Sequence, residues 1–276
     1  DNVAIMDFIK NIFYRLITMA LILLVASTID FISGLFKSGE DKPPTVQIKE
    51  REEEVINKNS HSLYWYSNVG KFYNTSLSVN PSFVRLSRLN KLVDGPESYG
   101  ELYAQIYRYD RLKLNEIINS FDKIADKGEY SRFEFADIIV SAVQNMPYSL
   151  VIQQDCEQEY YNDPKVRELI DEGTDCEGYV YAGIYTPIEF IDNFEGDCDT
   201  RTLFIYTILR HYNYDVKILN SDLYGHSIIG LNIPHHGRYK YVQGKRYYTW
   251  ETTSENWELG DLPPEVSDMN YWYVAL

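Results

Sequence analysis

The chain has 276 residues, room for one large domain or two small ones. Hydrophobic residues at 45% and charged residues at 24% exclude a disordered tail or a low-complexity fibre. Lysine and arginine total 26 against 41 aspartates and glutamates, a net charge of −15, and no basic patch offsets it, so no nucleic acid is expected as a partner.

Residues 16–29 (LITMALILLVASTI) carry no charge. If Asp30 is tolerated, the apolar stretch reaches Phe36, about the length a helix needs to cross a bilayer. Arg15 and Lys37 bracket it, and Tyr14, Phe31 and Phe36 stand where interfacial aromatics sit. A cleaved secretory signal and a buried core helix are the rival readings. A retained anchor over 1–37 is favoured because apolar residues continue past Asp30 through FISGLF. Lys10 and Arg15 precede the run while Lys37, Lys42, Lys49 and Arg51 follow it, so flanking charge leaves the side of the membrane open.

Residues 38–62 are charged, contain Pro43-Pro44 and lack apolar periodicity, which predicts a juxtamembrane linker. Residues 63–134 read as a helical region. Apolar residues recur at three- and four-residue spacing over 101–124 and again over 132–143, with Lys127-Gly128 between them. Residues 149–185 are polar, acidic and loop-like, apart from a short helix over 163–171 that Pro164 would start. Cys156 and Cys176 lie in this stretch. A disulfide between them would suit an oxidising, extracytoplasmic setting and leave Cys198 unbridged; two reduced thiols are the alternative.

Asp197 is a good N-cap for a helix over 198–211, whose stripe of Phe204, Ile205, Ile208, Leu209 and Tyr212 should bury against a sheet. Strands are predicted over 215–220 and 226–233, then a hairpin with arms 239–242 and 246–252 around Gln243-Gly244-Lys245. A helix followed by antiparallel strands predicts an α+β fold.

Three short stretches carry chemistry: GDCDTRT (196–202), YGHSIIG (224–230) and YYTWETT (247–253). A helix N-terminus stabilises a thiolate, a nearby imidazole takes the thiol proton, and a third group orients that imidazole. Cys198, His226 and Glu251 supply these residue types at the start of a helix, the start of one strand and the end of another. Each also has a bland reading: a small core cysteine, a strand histidine and a solvated acid. Three cysteines without a CxxC pair exclude a zinc ribbon or finger, and the acids around Asp155 lack EF-hand spacing, so neither a metal nor another cofactor is expected.

The order of these motifs resembles the transglutaminase-like superfamily, and most closely its membrane-anchored bacterial and archaeal members. Their pattern runs VQ-x-x-PY, P-x-E, GDC, H, ETT. Here it reads Val143-Gln144-Asn145-Met146-Pro147-Tyr148, Pro187-Ile188-Glu189, Gly196-Asp197-Cys198, His226 and Glu251-Thr252-Thr253, with Gly260 and Pro263 fitting a trailing G-x-x-P. The resemblance covers about residues 135–265. It implies a papain-like catalytic core over 135–276, with Cys198 as nucleophile, His226 as general base and acid, and Glu251 as the orienting acid. An oxyanion donor would come from Gln144 or Tyr148. Glu251 stands where most of these cores carry aspartate, and Ser227 follows the histidine where apolar or small residues are usual. The function so implied is a membrane-anchored cysteine hydrolase or acyltransferase acting on amide bonds of a protein or peptide. The alternative is a catalytically silent accessory subunit of a membrane complex; its 25 tyrosines suit an interaction surface.

Overall fold

Where helix is expected from residue 63, the chain forms a β-hairpin. Strand β1 (Asn59–Tyr66) pairs antiparallel with β2 (Phe72–Val79), Leu63 facing Thr75 and Tyr66 facing Phe72. The reason is a period of two: Leu63 and Trp65 are buried while Tyr64 and Tyr66 face solvent, an alternation only a strand can present. Asn59 to Ser62 therefore belong to a strand and not to the expected linker. The computed structural model describes residues 59–276 apart from Asp94. The expected anchor, and the linker up to residue 58, lie outside the described residues. Among the described residues no helix is long and apolar enough to cross a membrane.

Helices α1 (Pro81–Lys91), α2 (Tyr99–Asp110), α3 (Asn115–Ala125) and α4 (Arg132–Gln144) follow. The periodic stretch 101–124 is thus two helices. The first stops at Asp110, whose buried carboxylate accepts from Ser87 Oγ (2.6 Å), Lys113 Nζ (3.1 Å) and the Ile188 amide (3.4 Å). Helix α4 starts on a capping box, Ser131 with Glu134, close to its expected bounds.

The segment expected to be mostly loop holds more structure. Strand β3 (Ser149–Val151) pairs in parallel with β4 (Asp175–Glu177), and α5 (Cys156–Asn162) precedes α6 (Pro164–Asp171), which starts at Pro164 as expected. Cys156 and Cys176 are bridged, with 6.2 Å between their Cα atoms. The bridge ties the first turn of α5 to β4.

Helix α7 (Pro187–Asn193) leads to α8 (Cys198–His211), which matches the predicted span. Strands β5 (Val216–Ser221), β6 (His226–Leu231), β7 (Tyr239–Val242), β8 (Lys245–Trp250) and β9 (Tyr273–Val274) form an antiparallel sheet in the order β7-β8-β6-β5-β9. Helix α8 packs on β5 and β6, burying Phe204, Ile205, Ile208 and Leu209. The fold is α+β. The described residues belong to one compact unit, and a single core runs from Leu63 and Trp65 through α3, α4 and α8 to Trp250, so the helical region shares its core with the cysteine helix and sheet.

Candidate active site

Cys198 opens α8. Asp197 caps the helix by accepting from the Thr200 amide (3.0 Å), and the Cys198 amide, as the first in the helix, has no partner within it. Gly196 is required by packing, since a Cβ there would lie 2.7 Å from Thr200 Cγ2. Three residues past the cysteine, the side chain of Arg201 is fully buried and donates only to backbone carbonyls. They belong to Gly196 (2.8 Å), Val143 (2.8 Å), Met146 (2.7 Å), Pro147 (2.5 Å) and Thr252 (3.3 Å). One guanidinium thus clamps the loop before Cys198, the end of α4 and the Glu-Thr-Thr segment to one another.

His226 is the first residue of β6, and Glu251 follows the last residue of β8. Because Ile229 pairs with Trp250, this antiparallel register brings the start of one strand to the end of the other. His226 Nε2 lies 2.8 Å from Glu251 Oε2. The other carboxylate oxygen accepts from the Thr252 amide (2.8 Å), the Thr253 amide (3.0 Å) and Thr253 Oγ1 (2.8 Å), so the two threonines aim the acid. With Nε2 engaged, Nδ1 is the ring nitrogen left for the thiol. Trp272 lies edge-on to the imidazole at 5.9 Å and shields the pair.

The charges couple. Burial alone would raise the Glu251 carboxyl, but His226 and the Thr253 donors hold it down at about 2. Burial alone would lower His226; Glu251, with Asp199 and Asp197, raises it above 6.5. Burial, then Asp199 and Asp197, push the Cys198 thiol well above its ordinary value, opposed by a hydrogen bond to the Ser227 backbone. Asp197 itself is pushed up to about 8 by burial and by Asp199. Asp199 accepts from Tyr103 Oη (2.6 Å), and Tyr103 in turn meets Ser227 Oγ (3.2 Å) and Asn220 Nδ2 (3.0 Å). The thiol and the imidazole are thus both biased toward their protonated forms.

Cys198, His226 and Glu251 line one cleft of about 500 Å³. Leu150 and Val151, Val166 and Leu169 of α6, and Tyr224, Pro263 and Val266 supply its apolar lining. Cys198 is 8% exposed, reachable from the cleft only. Among the described residues no hydrogen bond to the imidazole is made by the sulfur; the two groups share the cleft.

The two oxyanion candidates separate. Both amide hydrogens of Gln144 are taken, by Glu251 O (2.7 Å) and Trp257 O (3.0 Å), and its oxygen accepts from Asn68 (3.2 Å). Gln144 is thus a strut between α4 and the loop after β8, not a donor to the cleft, which corrects the sequence expectation. Tyr148 does line the cleft. Burial and the nearby Cys198 keep its phenol well above the ordinary range, so it stays a protonated donor. Glu189 of the P-x-E motif caps α7 and pairs with Lys91 (2.9 Å) and Arg88 (3.0 Å). Gly260 of the G-x-x-P element sits at φ +94° against the His236 carbonyl, where a Cβ has no room.

Sequence reasoning missed Arg201, Tyr103 and Trp272. Arg201 alone left a signal: a charge beside the stripe of a helix expected to be buried. Among the described residues no group of three or more His, Cys, Asp or Glu side chains is arranged to hold a metal ion. Asp155 instead caps α5, accepting from the amides of Glu157 (2.9 Å) and Gln158 (3.4 Å). No family model, curated protein or solved structure matches the chain.

Proposed function

We propose that the protein is a membrane-tethered, transglutaminase-like cysteine hydrolase or acyltransferase with a papain-like core, acting on amide bonds of proteins or peptides. The observation that carries this reading is that the first residue of a helix, Cys198, and the hydrogen-bonded pair His226–Glu251 open into the same cleft. The thiol proton passes to His226 Nδ1 as sulfur attacks the acyl carbon. The tetrahedral oxyanion is met by the Cys198 amide and the Tyr148 hydroxyl. His226 then protonates the departing amine, leaving a thioester. Water deprotonated by the same imidazole releases the acid; an amine in its place completes a transamidation. The open mouth of the cleft favours water. The Cys156–Cys176 bridge supports an extracytoplasmic domain, and the apolar stretch 16–36 supports the tether.

The experiment is trapping of the thioester. The full chain is incubated with a library of peptide p-nitroanilides, quenched in acid and read by intact mass. An acyl adduct on wild type and none on Cys198→Ala is expected. Adducts formed equally by both would remove Cys198 from the mechanism. One feature favours a silent accessory subunit: burial, with Asp199 and Asp197 on both sides of Cys198, pushes its thiol up. Alkylation separates the two. Iodoacetamide at pH 8 modifies a base-assisted thiol faster than a free model thiol, and a silent one more slowly.

A further inference from the structure

Helix α1 buries Val84 in the core together with two polar side chains, Ser87 and Lys91, each satisfied internally. Ser87 donates to Asp110 (2.6 Å), and Lys91 donates to the Ile184 carbonyl (2.8 Å) and pairs with Glu189 (2.9 Å). The outward face, continued into the turn that follows, carries Leu86, Leu89, Leu92 and Val93, which are 46%, 51%, 56% and 42% exposed. At 100° per residue these side chains share one side of the helix with Arg85, and Arg88 lies at its edge. No acid occurs from Pro81 to Val93, in a chain of net charge −15. The cations stand three residues apart, so the linear sequence shows no basic run. Exposed apolar side chains mark an interaction surface, and beside cations they suit a helix that lies in a membrane interface.

The sequence that leads toward this helix carries the proposed tether. Asn59, where the described chain begins, pairs with Val79, two residues before α1. The 58 residues that precede it include the uncharged run 16–29. We propose that the outward face of α1 docks on an anionic lipid surface, its leucines entering the headgroup–acyl boundary and Arg85 meeting lipid phosphates. This goes beyond the chemistry of the cleft and rests on the proposed membrane tether, whose own failure would show as loss of co-sedimentation.

The test uses the full chain with Cys198→Ala, so that a nitroxide at Leu89→Cys is the one label. The protein is incorporated into vesicles of phosphatidylcholine, or of phosphatidylcholine with one-third phosphatidylglycerol, and co-sedimentation is recorded separately. Docking raises the ratio of oxygen to nickel-complex collisions several-fold over that of a nitroxide in water in the anionic vesicles. The rise should shrink in neutral vesicles and with Arg85→Glu. A ratio equal to that in water, in protein that co-sediments and keeps its circular dichroism, overturns the proposal. Dipolar broadening that disappears on dilution with unlabelled chain assigns the face to a second copy and also overturns it. So does loss of both collision partners without broadening, which marks a protein partner.

Discussion

Replacing Glu251 with glutamine tests the charge coupling most directly. Glu251 is held at about 2 against an ordinary 4.5. At about 1.4 kcal/mol for each tenfold change in proton affinity, that displacement corresponds to about 3 kcal/mol of stability. Its folded value lies below its unfolded one, so this contribution is complete above pH 4.5 and vanishes as pH falls toward 2. His226 is displaced upward, so its share is complete below pH 6.5 and is lost as pH rises through the folded value. The stability gap between wild type and Glu251→Gln should therefore be widest between pH 4.5 and 6.5 and nearly close by pH 2. In urea melts the gap should reach about 3 kcal/mol, equivalent to roughly 6–12 °C in Tm for a protein of this size. The chemistry should suffer as well. Glutamine keeps an oxygen for the Thr252 and Thr253 donors and turns its NH2 toward Nε2, which must then accept. The imidazole proton moves to Nδ1, which can then no longer take the thiol proton, and the base is lost. Histidine resonances followed by NMR should show His226 titrating at lower pH than in wild type, and alkylation of Cys198 should slow by roughly 10²–10⁴-fold. An unchanged His226 titration, or alkylation at the wild-type rate, would refute the coupling.

Four further outcomes are expected. Cys198→Ala should keep its far-UV circular dichroism and Tm within a few degrees while losing all thioester formation; turnover by this variant would end the mechanism. Arg201→Met should cost about 3–5 kcal/mol in denaturant melts, because five backbone carbonyls, four of them in buried hydrogen bonds, lose a donor, and a loss under 1 kcal/mol would show that water replaces the guanidinium. Reducing Cys156–Cys176, a crosslink spanning 20 residues, should cost about 3 kcal/mol; protection of residues 152–180 from trypsin that survives reduction would contradict this. Alkylation of Cys198 in wild type should climb as pH rises past the raised value of His226, since the base works only when neutral; a rate flat from pH 6 to 9 would point to a thiol without a base.

What the linear chain determined by itself is local. Asp197 marks the start of α8 because a side-chain cap is decided within three residues, and Pro164 starts α6 for the same reason. The strands around His226 and Glu251 are legible from period and turn chemistry. The order of short motifs then nominated Cys198, His226 and Glu251 together. The same alternation was present in β1, yet its run of serine and aromatic residues, set beside a long helical stretch, hid it. Asp110 is the last residue of α2 and its carboxylate is held by Ser87, Lys113 and Ile188, partners as far as 78 residues away. Tertiary structure alone decided that Gln144 is a strut and Tyr148 a cleft residue, since four positions of sequence separate them and only the placement of Glu251 and Trp257 tells them apart. It alone revealed Arg201 as the clamp, because the carbonyls it satisfies belong to segments that meet only when the fold closes. A polar group's role depends on which partners surround it once water is excluded, and that exclusion is a property of the folded whole.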